Sequence, residues 1–203
     1  KDIAMFNDVI YDSSLICDEW KIYPTSVTTT SEKDIEDVVT VIEKWFHQGD
    51  YTPYPYEDLE EVIRYAKKHC PKYIRISRIF RDIPVNNIIA GADIPHMRQK
   101  IQKKMALDGE YCKCIRCREI KNRHIDINRI NYTTEKYEAQ EGTEYFISAN
   151  YENPIENVSY LVGFCRLRIN NQDVNLDYLP YLKDSSLVRE LHVYGKMVPS
   201  YLS

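Results

Sequence analysis

Hydrophobic periodicity changes once along this chain, near residue 124, and that change limits the folds open to it. Before it, apolar residues recur three and four positions apart, the spacing that gives a helix one buried stripe. Leu59, Val62, Ile63 and Ala66 make such a stripe in EDLEEVIRYAKKHC. That segment carries acids first and bases last, as the helix dipole favours, and Pro71 ends it. Ile35, Val38, Val39, Ile42, Trp45 and Phe46 make another stripe, with Thr30 or Ser31 placed to cap the helix and Gly49 to close it. A third helix is expected over 95–107, PHMRQKIQKKMAL, with Pro95 at its start. Residues 3–17 read as a short helix, EWKIYPT and YIRISRIF as strands, SVTTTSEKD as a polar turn and RDIPVNNIIAGAD as a loop. Helix, short break, strand is the unit of a parallel α/β sheet or barrel. After residue 124, the runs HIDINRINYTTEKYEAQEGTEYFISANYENP, YLVGFCRLRI and LVRELHVYG alternate, and polar turns separate them. These are expected to be antiparallel strands.

Charge sharpens this division. The net charge of −4 points to no partner, but its distribution does. Residues 1–63 hold 4 Lys/Arg against 15 Asp/Glu, residues 64–136 hold 18 against 7, and residues 137–203 hold 5 against 9. A strongly basic middle is the electrostatic footprint of a polyanion-binding surface, and also what an unliganded solvated face looks like. Within 98–123 the basic residues are Arg98, Lys100, Lys103, Lys104, Lys113, Arg116, Arg118, Lys121 and Arg123. Phosphates bound there release counterions, so nucleic-acid binding would depend steeply on salt. Tyr73 and Tyr111 are candidates to stack on bases, although tyrosines at such positions more often pack.

Three of the six cysteines crowd together as Cys112-x-Cys114-x2-Cys117. Cysteines separated by one residue do not reach the geometry of a disulfide, and nothing in the sequence points to secretion. Three thiolates in six residues suit a soft metal, and Lys113, Arg116 and Arg118 favour thiolate over thiol. Tetrahedral zinc needs a fourth ligand. His96 is the first candidate, with His69, Cys70 and His124 as others; unliganded cysteines or an iron–sulfur cluster are the alternatives. No stretch approaches the roughly 18 apolar residues of a membrane span, and the first residues lack a secretory layout, so a cytoplasmic location without membrane contact is expected. Neither paired carboxylates nor a Ser/His/Asp arrangement can be argued, so no catalytic residue is assigned.

Seven runs in one order carry a resemblance: WKIYPT (20–25), GDYTPYPYEDL (49–59), SRIFRDIP (77–84), CKCIRCREI (112–120), GTEYFIS (142–148), LVGFCRLRI (161–169) and LVRELHVYG (187–195). Together they resemble the catalytic-subunit family of Elongator, which joins a radical-SAM barrel to a GNAT acetyltransferase and modifies the wobble uridine of tRNA. The resemblance implies an α/β chain with the C-terminal part of a radical-SAM (TIM-like) barrel over 1–94. A basic zinc-binding linker over 95–124 and the N-terminal part of a GNAT-like domain over 125–203 would follow. It implies transfer of an acetyl-CoA-derived group to C5 of uridine 34, with SAM and a 4Fe–4S cluster generating the radical. Structural zinc would sit on Cys112, Cys114 and Cys117. Acetyl-CoA would lie along Glu190, Leu191, His192 and Val193. Arg78, Arg81, Lys113, Arg116 and Arg118 would face tRNA, and Lys21 the SAM cavity. Elongator-type partner subunits or a homodimer would complete the assembly. The family's CxxxCxxC cluster motif and its Gly-rich pyrophosphate loop do not occur in the 203 residues, which implies that the chain alone is inactive. Two alternatives are a non-catalytic zinc-stabilised tRNA-binding module and a protein lysine acetyltransferase.

Overall fold

The computed structural model describes residues 1–29, 39–81, 83–91, 96–154, 158–172, 174 and 176–195. The expectations for Thr30, Ser31, Ile35, Val38 and Pro95 lie outside the described residues. The elements in chain order are α1 (Asp2–Tyr11), β1 (Glu19–Lys21), β2 (Ser26–Thr28), α2 (Val41–Gln48), α3 (Tyr56–His69), β3 (Arg75–Arg78) and β4 (Ile88–Gly91). Then follow α4 (Met97–Leu107), α5 (Ile115–Arg118), β5 (Ile130–Ala139), β6 (Gly142–Asn153), β7 (Val158–Asn170) and β8 (Ser186–Val193). Contacts group the chain into two compact units. One comprises Lys1–Ile3, Glu19–Cys70 and Ile76–Cys112, the other Ala4–Asp18, Pro71–Arg75 and Lys113–Ser203. The expected 95–124 linker is thereby divided after Cys112.

The first unit is built on α3 and α4. The expected stripe of α3 buries Leu59, Ile63 and Ala66, while α4 buries Met97, Ile101 and Met105, four residues apart. Trp20, Val27, Cys70, Ile76 and Ile79 are buried with them. Of the helix expected across 35–46, the described residues show α2 from Val41. Thr40 is extended, its hydroxyl accepts from the Glu43 backbone N–H at 3.3 Å, and Gly49 ends the helix in the left-handed conformation at φ 82°. Thr-x-x-Glu is a capping-box pattern, which suits Thr40 to start α2. Two further strands depart from the sequence reading. The polar turn contains β2 and the loop contains β4, and these pair antiparallel with Val27 opposite Ala90. Three- and four-residue strands are too short to display alternation. β1 pairs with β3, and Ile22 N–H donates to the Arg78 carbonyl at 2.9 Å.

The second unit holds the expected antiparallel strands as one four-stranded sheet in the order β5–β6–β7–β8. β6 alternates from Gly142 to Asn150, with Glu144, Phe146, Ser148 and Asn150 on its buried face. Phe146 and Phe164 pack there with ring centroids 5.1 Å apart. Ile120 joins Tyr151 and Tyr160 in a smaller core, and its N–H donates to the Leu161 carbonyl at 3.0 Å. No helix among the described residues is long and apolar enough to cross a membrane.

Candidate functional site

The cysteine run folds as a short loop entering one helical turn. Cys114 is extended and caps α5, and its carbonyl accepts from the N–H groups of Cys117 and Arg118 at 3.1 and 3.2 Å. One turn puts residues 114 and 117 on the same side, and Cys112 arrives from the loop before it. The three sulfurs all lie within 4.8 Å of one another. Tetrahedral zinc with bonds near 2.3 Å needs sulfurs about 3.8 Å apart, so small rotamer adjustments suffice. Cys114 is buried, while Cys112 and Cys117 are half-buried. His96 is not in this group; it sits at the start of α4 with φ 57°.

The loop is held in place from outside. The Ile115 N–H donates to the Ile74 carbonyl at 3.0 Å. The Arg118 guanidinium donates through Nε to the Lys113 carbonyl and through Nη2 to the Lys72 carbonyl, both at 2.8 Å, and through Nη1 to Asn150 Oδ1 at 3.3 Å. Arg118 therefore clamps the peptide between Cys112 and Cys114. Asn150 is itself fixed, donating to Thr133 Oγ1 and Ser148 Oγ, each at 3.0 Å. Arg116 and Lys113 are exposed in the same turn, and Arg78 and Arg81 are exposed in the first unit. Lys21 is exposed and pairs with Glu19 at 3.2 Å.

Glu190, Leu191, His192 and Val193 lie together on β8, an edge strand of the described sheet. An edge strand leaves alternate backbone N–H and C=O groups unpaired on its outer side. Pairing with β7 sets Glu190 opposite Arg166, Leu191 opposite Cys165, His192 opposite Phe164 and Val193 opposite Gly163. The four side chains divide between the faces, as strand alternation requires. His192 stacks at 5.9 Å on Phe164 and lies tilted against Tyr194 at 4.4 Å, whereas Leu191 and Val193 are 73% and 76% exposed. Gly163 permits the close approach of β8, because a Cβ there would stand 2.9 Å from the His192 carbonyl oxygen.

A charge network fixes β8 from beneath. Arg166, only 2% exposed, donates from Nε to Glu190 at 2.9 Å and lies 3.1 Å from Asp18, with the Phe146 and Phe164 rings beside its guanidinium. Arg189 bonds both oxygens of Asp18, at 2.6 and 3.0 Å, and also Glu144 at 3.0 Å. Arg168 reaches the other oxygen of Glu144 at 3.1 Å. Burial raises the Asp18 pKa, but the Arg189 hydrogen bond and the Arg166 and Arg189 charges outweigh it and hold the carboxyl below its usual range. Burial also pushes the neighbouring Tyr137 phenol up to about 12. Beyond β8, Tyr194 accepts from Arg75 at 3.0 Å, and Arg75 pairs with Glu119 at 2.6 Å. Sequence reasoning did not assign Asp18, Glu144, Arg166, Arg168 and Arg189. The available signal is cross-strand: Glu144 faces Arg168 and Arg166 faces Glu190 once the hairpin register is known.

The chain is similar to known proteins along nearly all of its length. The Radical_SAM C-terminal domain family matches residues 17–106. The tRNA uridine(34) acetyltransferase of Methanocaldococcus jannaschii is 36% identical over 98% of this chain and 35% of its own length. Elongator complex protein 3 of Drosophila melanogaster is 32% identical over 98% of this chain and 34% of its own. Among solved structures, the archaeal Methanocaldococcus infernus Elp3 with an N-terminal deletion superposes with a TM-score of 0.78 at 33% identity, covering 98% of this chain and 45% of that one. The chain thus spans about a third of the length of the curated relatives it matches.

Proposed function

The chain is homologous, along nearly all of its length, to a segment of the tRNA uridine(34) acetyltransferase and Elongator complex protein 3 family, and from that premise we propose that it is part of an enzyme modifying the wobble uridine of tRNA. The observation that carries the reading is the co-linear match over 98% of the chain, which runs through both units and through the cysteine run. The chain spans about a third of these relatives, so the complete reaction belongs to the proposal.

The reading assigns roles to particular residues. Cys112, Cys114 and Cys117 would hold zinc, whose part would be structural, tying the loop to α5 in a position that Arg118 pre-sets. The fourth ligand is left open by the geometry. Acetyl-CoA would lie along the outer edge of β8, taking hydrogen bonds from backbone groups at Leu191 and Val193. The network beneath Glu190 and Arg189 keeps that edge rigid. Arg78, Arg81, Lys113 and Arg116 are exposed and would contact tRNA phosphates. When bound, acetyl-CoA would supply the carbon group, and SAM with an iron–sulfur cluster would supply the radical chemistry. The 203 residues contain no CxxxCxxC motif for that cluster, so no step is assigned to it. Lys21, paired with Glu19, is an exposed cation available to SAM.

The test is tRNA retention at low salt by the full-length protein, together with acetyl-CoA turnover. Retention and turnover stimulated by tRNA are expected. Peptide acetylation that ignores tRNA would replace this reading with a protein lysine acetyltransferase. Retention without any turnover would leave a tRNA-binding module.

A further inference from the structure

The basic residues of α4 divide into two kinds. Arg98 donates to the Ile76 carbonyl at 2.6 Å, and Lys104 pairs with Glu60 and lies 5.0 Å over the Tyr56 ring. These two fasten the helix to its own unit. Lys100 and Lys103 instead stand exposed with Gln99 and Gln102, on the side away from the buried Met97, Ile101 and Met105. Residues 100 and 103 are helix neighbours, with Cβ atoms about 5–6 Å apart. The helix contains no acidic residue, so nothing on it offsets this charge. Lys100 also lies near the positive end of the helix dipole, where a base costs helix stability. Local choices that work against stability concentrate where a function needs them.

We propose that the solvent face of α4 is a phosphate-contact surface for structured RNA, with Lys100 and Lys103 as the two cations and Gln99 and Gln102 as hydrogen-bonding neighbours. The proposal rests on the tRNA reading above and adds residues to it. Lysine suits this role because its ammonium is a mobile point charge that follows a phosphate backbone without reading sequence. Two phosphates neutralised contribute about 1.4–1.8 to the slope of log affinity against log salt.

The test compares the full-length protein with its K100E/K103E variant, using bulk tRNA as the probe between 50 and 200 mM salt. The salt slope is expected to fall by at least about 1.4. The affinity lost across that salt range would then be about tenfold smaller for the variant than for the wild type. The melting temperature should hold or rise, because Glu at position 100 suits the dipole. An unchanged slope in a variant that still binds tRNA overturns the assignment of α4 alone. Failure of the wild type to bind tRNA instead overturns the tRNA reading. Competition by polyglutamate that the variant loses, with tRNA affinity unaffected, would assign the face to an acidic protein partner and overturn the RNA proposal.

Discussion

Replacing Arg118 by Lys separates two roles that its charge alone would confuse. The guanidinium reaches three acceptors on three different segments: the Lys113 carbonyl, the Lys72 carbonyl and Asn150 Oδ1. A lysine keeps the charge but presents one compact ammonium and can satisfy about one of them. Two hydrogen bonds are lost, one of them to buried Asn150. At about 1 kcal/mol each for partly exposed bonds, the cost is about 2 kcal/mol. The peptide carrying Cys112 and Cys114 loses its clamp, so metal retention should fall as well. Three readings on the full-length protein check this: the urea midpoint, the zinc content after dialysis, and the salt slope of tRNA binding. Lower stability and zinc content with an unchanged slope are expected. A variant that keeps wild-type stability and zinc content would refute the reasoning, because the three hydrogen bonds of Arg118 would then not be what holds the loop.

Other predictions follow from the second unit. Glu144, whose side chain is 3% exposed, neutralises Arg168 and Arg189. Glu144→Ala should destabilise by about 2 kcal/mol, measured by urea unfolding, because Arg168 loses its carboxylate partner while Arg189 keeps only Asp18. Asp18 is held below its unfolded value of 3.8, so its contribution is complete above that pH and is lost as pH falls through the lower folded value. The stability gap between wild type and Asp18→Asn should therefore be present at pH 6 and shrink below pH 3.8, and a pH-independent gap would contradict this. Gly163→Ala places a methyl group against the His192 carbonyl, where only backbone can yield. It should cost about 1–3 kcal/mol and speed hydrogen exchange of the β8 amides.

Much of this fold was legible where one physical signal dominated. The stripe of α3, its dipole-matched ends and Pro71 gave that helix its limits, and the alternation of GTEYFISAN gave β6. The three cysteines announced themselves by spacing alone. Other features were hidden for stated reasons. β2 and β4 are too short for a period to show. Thr40 captured the start of α2 through a hydroxyl that periodicity does not weigh. Glu144 and Arg166 read in isolation as solvent-facing charges, yet they are buried because each meets an opposite charge on the neighbouring strand. Arg118 carries charge like its neighbours in the sequence, and only the positions of Lys72, Lys113 and Asn150 reveal that its donors turn inward.

The most direct measurement of the central claim is nucleoside mass spectrometry of tRNA from cells with and without the gene. A C5-substituted uridine at position 34 that disappears on deletion and returns with the wild-type gene is expected. Position 34 carrying the same nucleoside in both strains would contradict it.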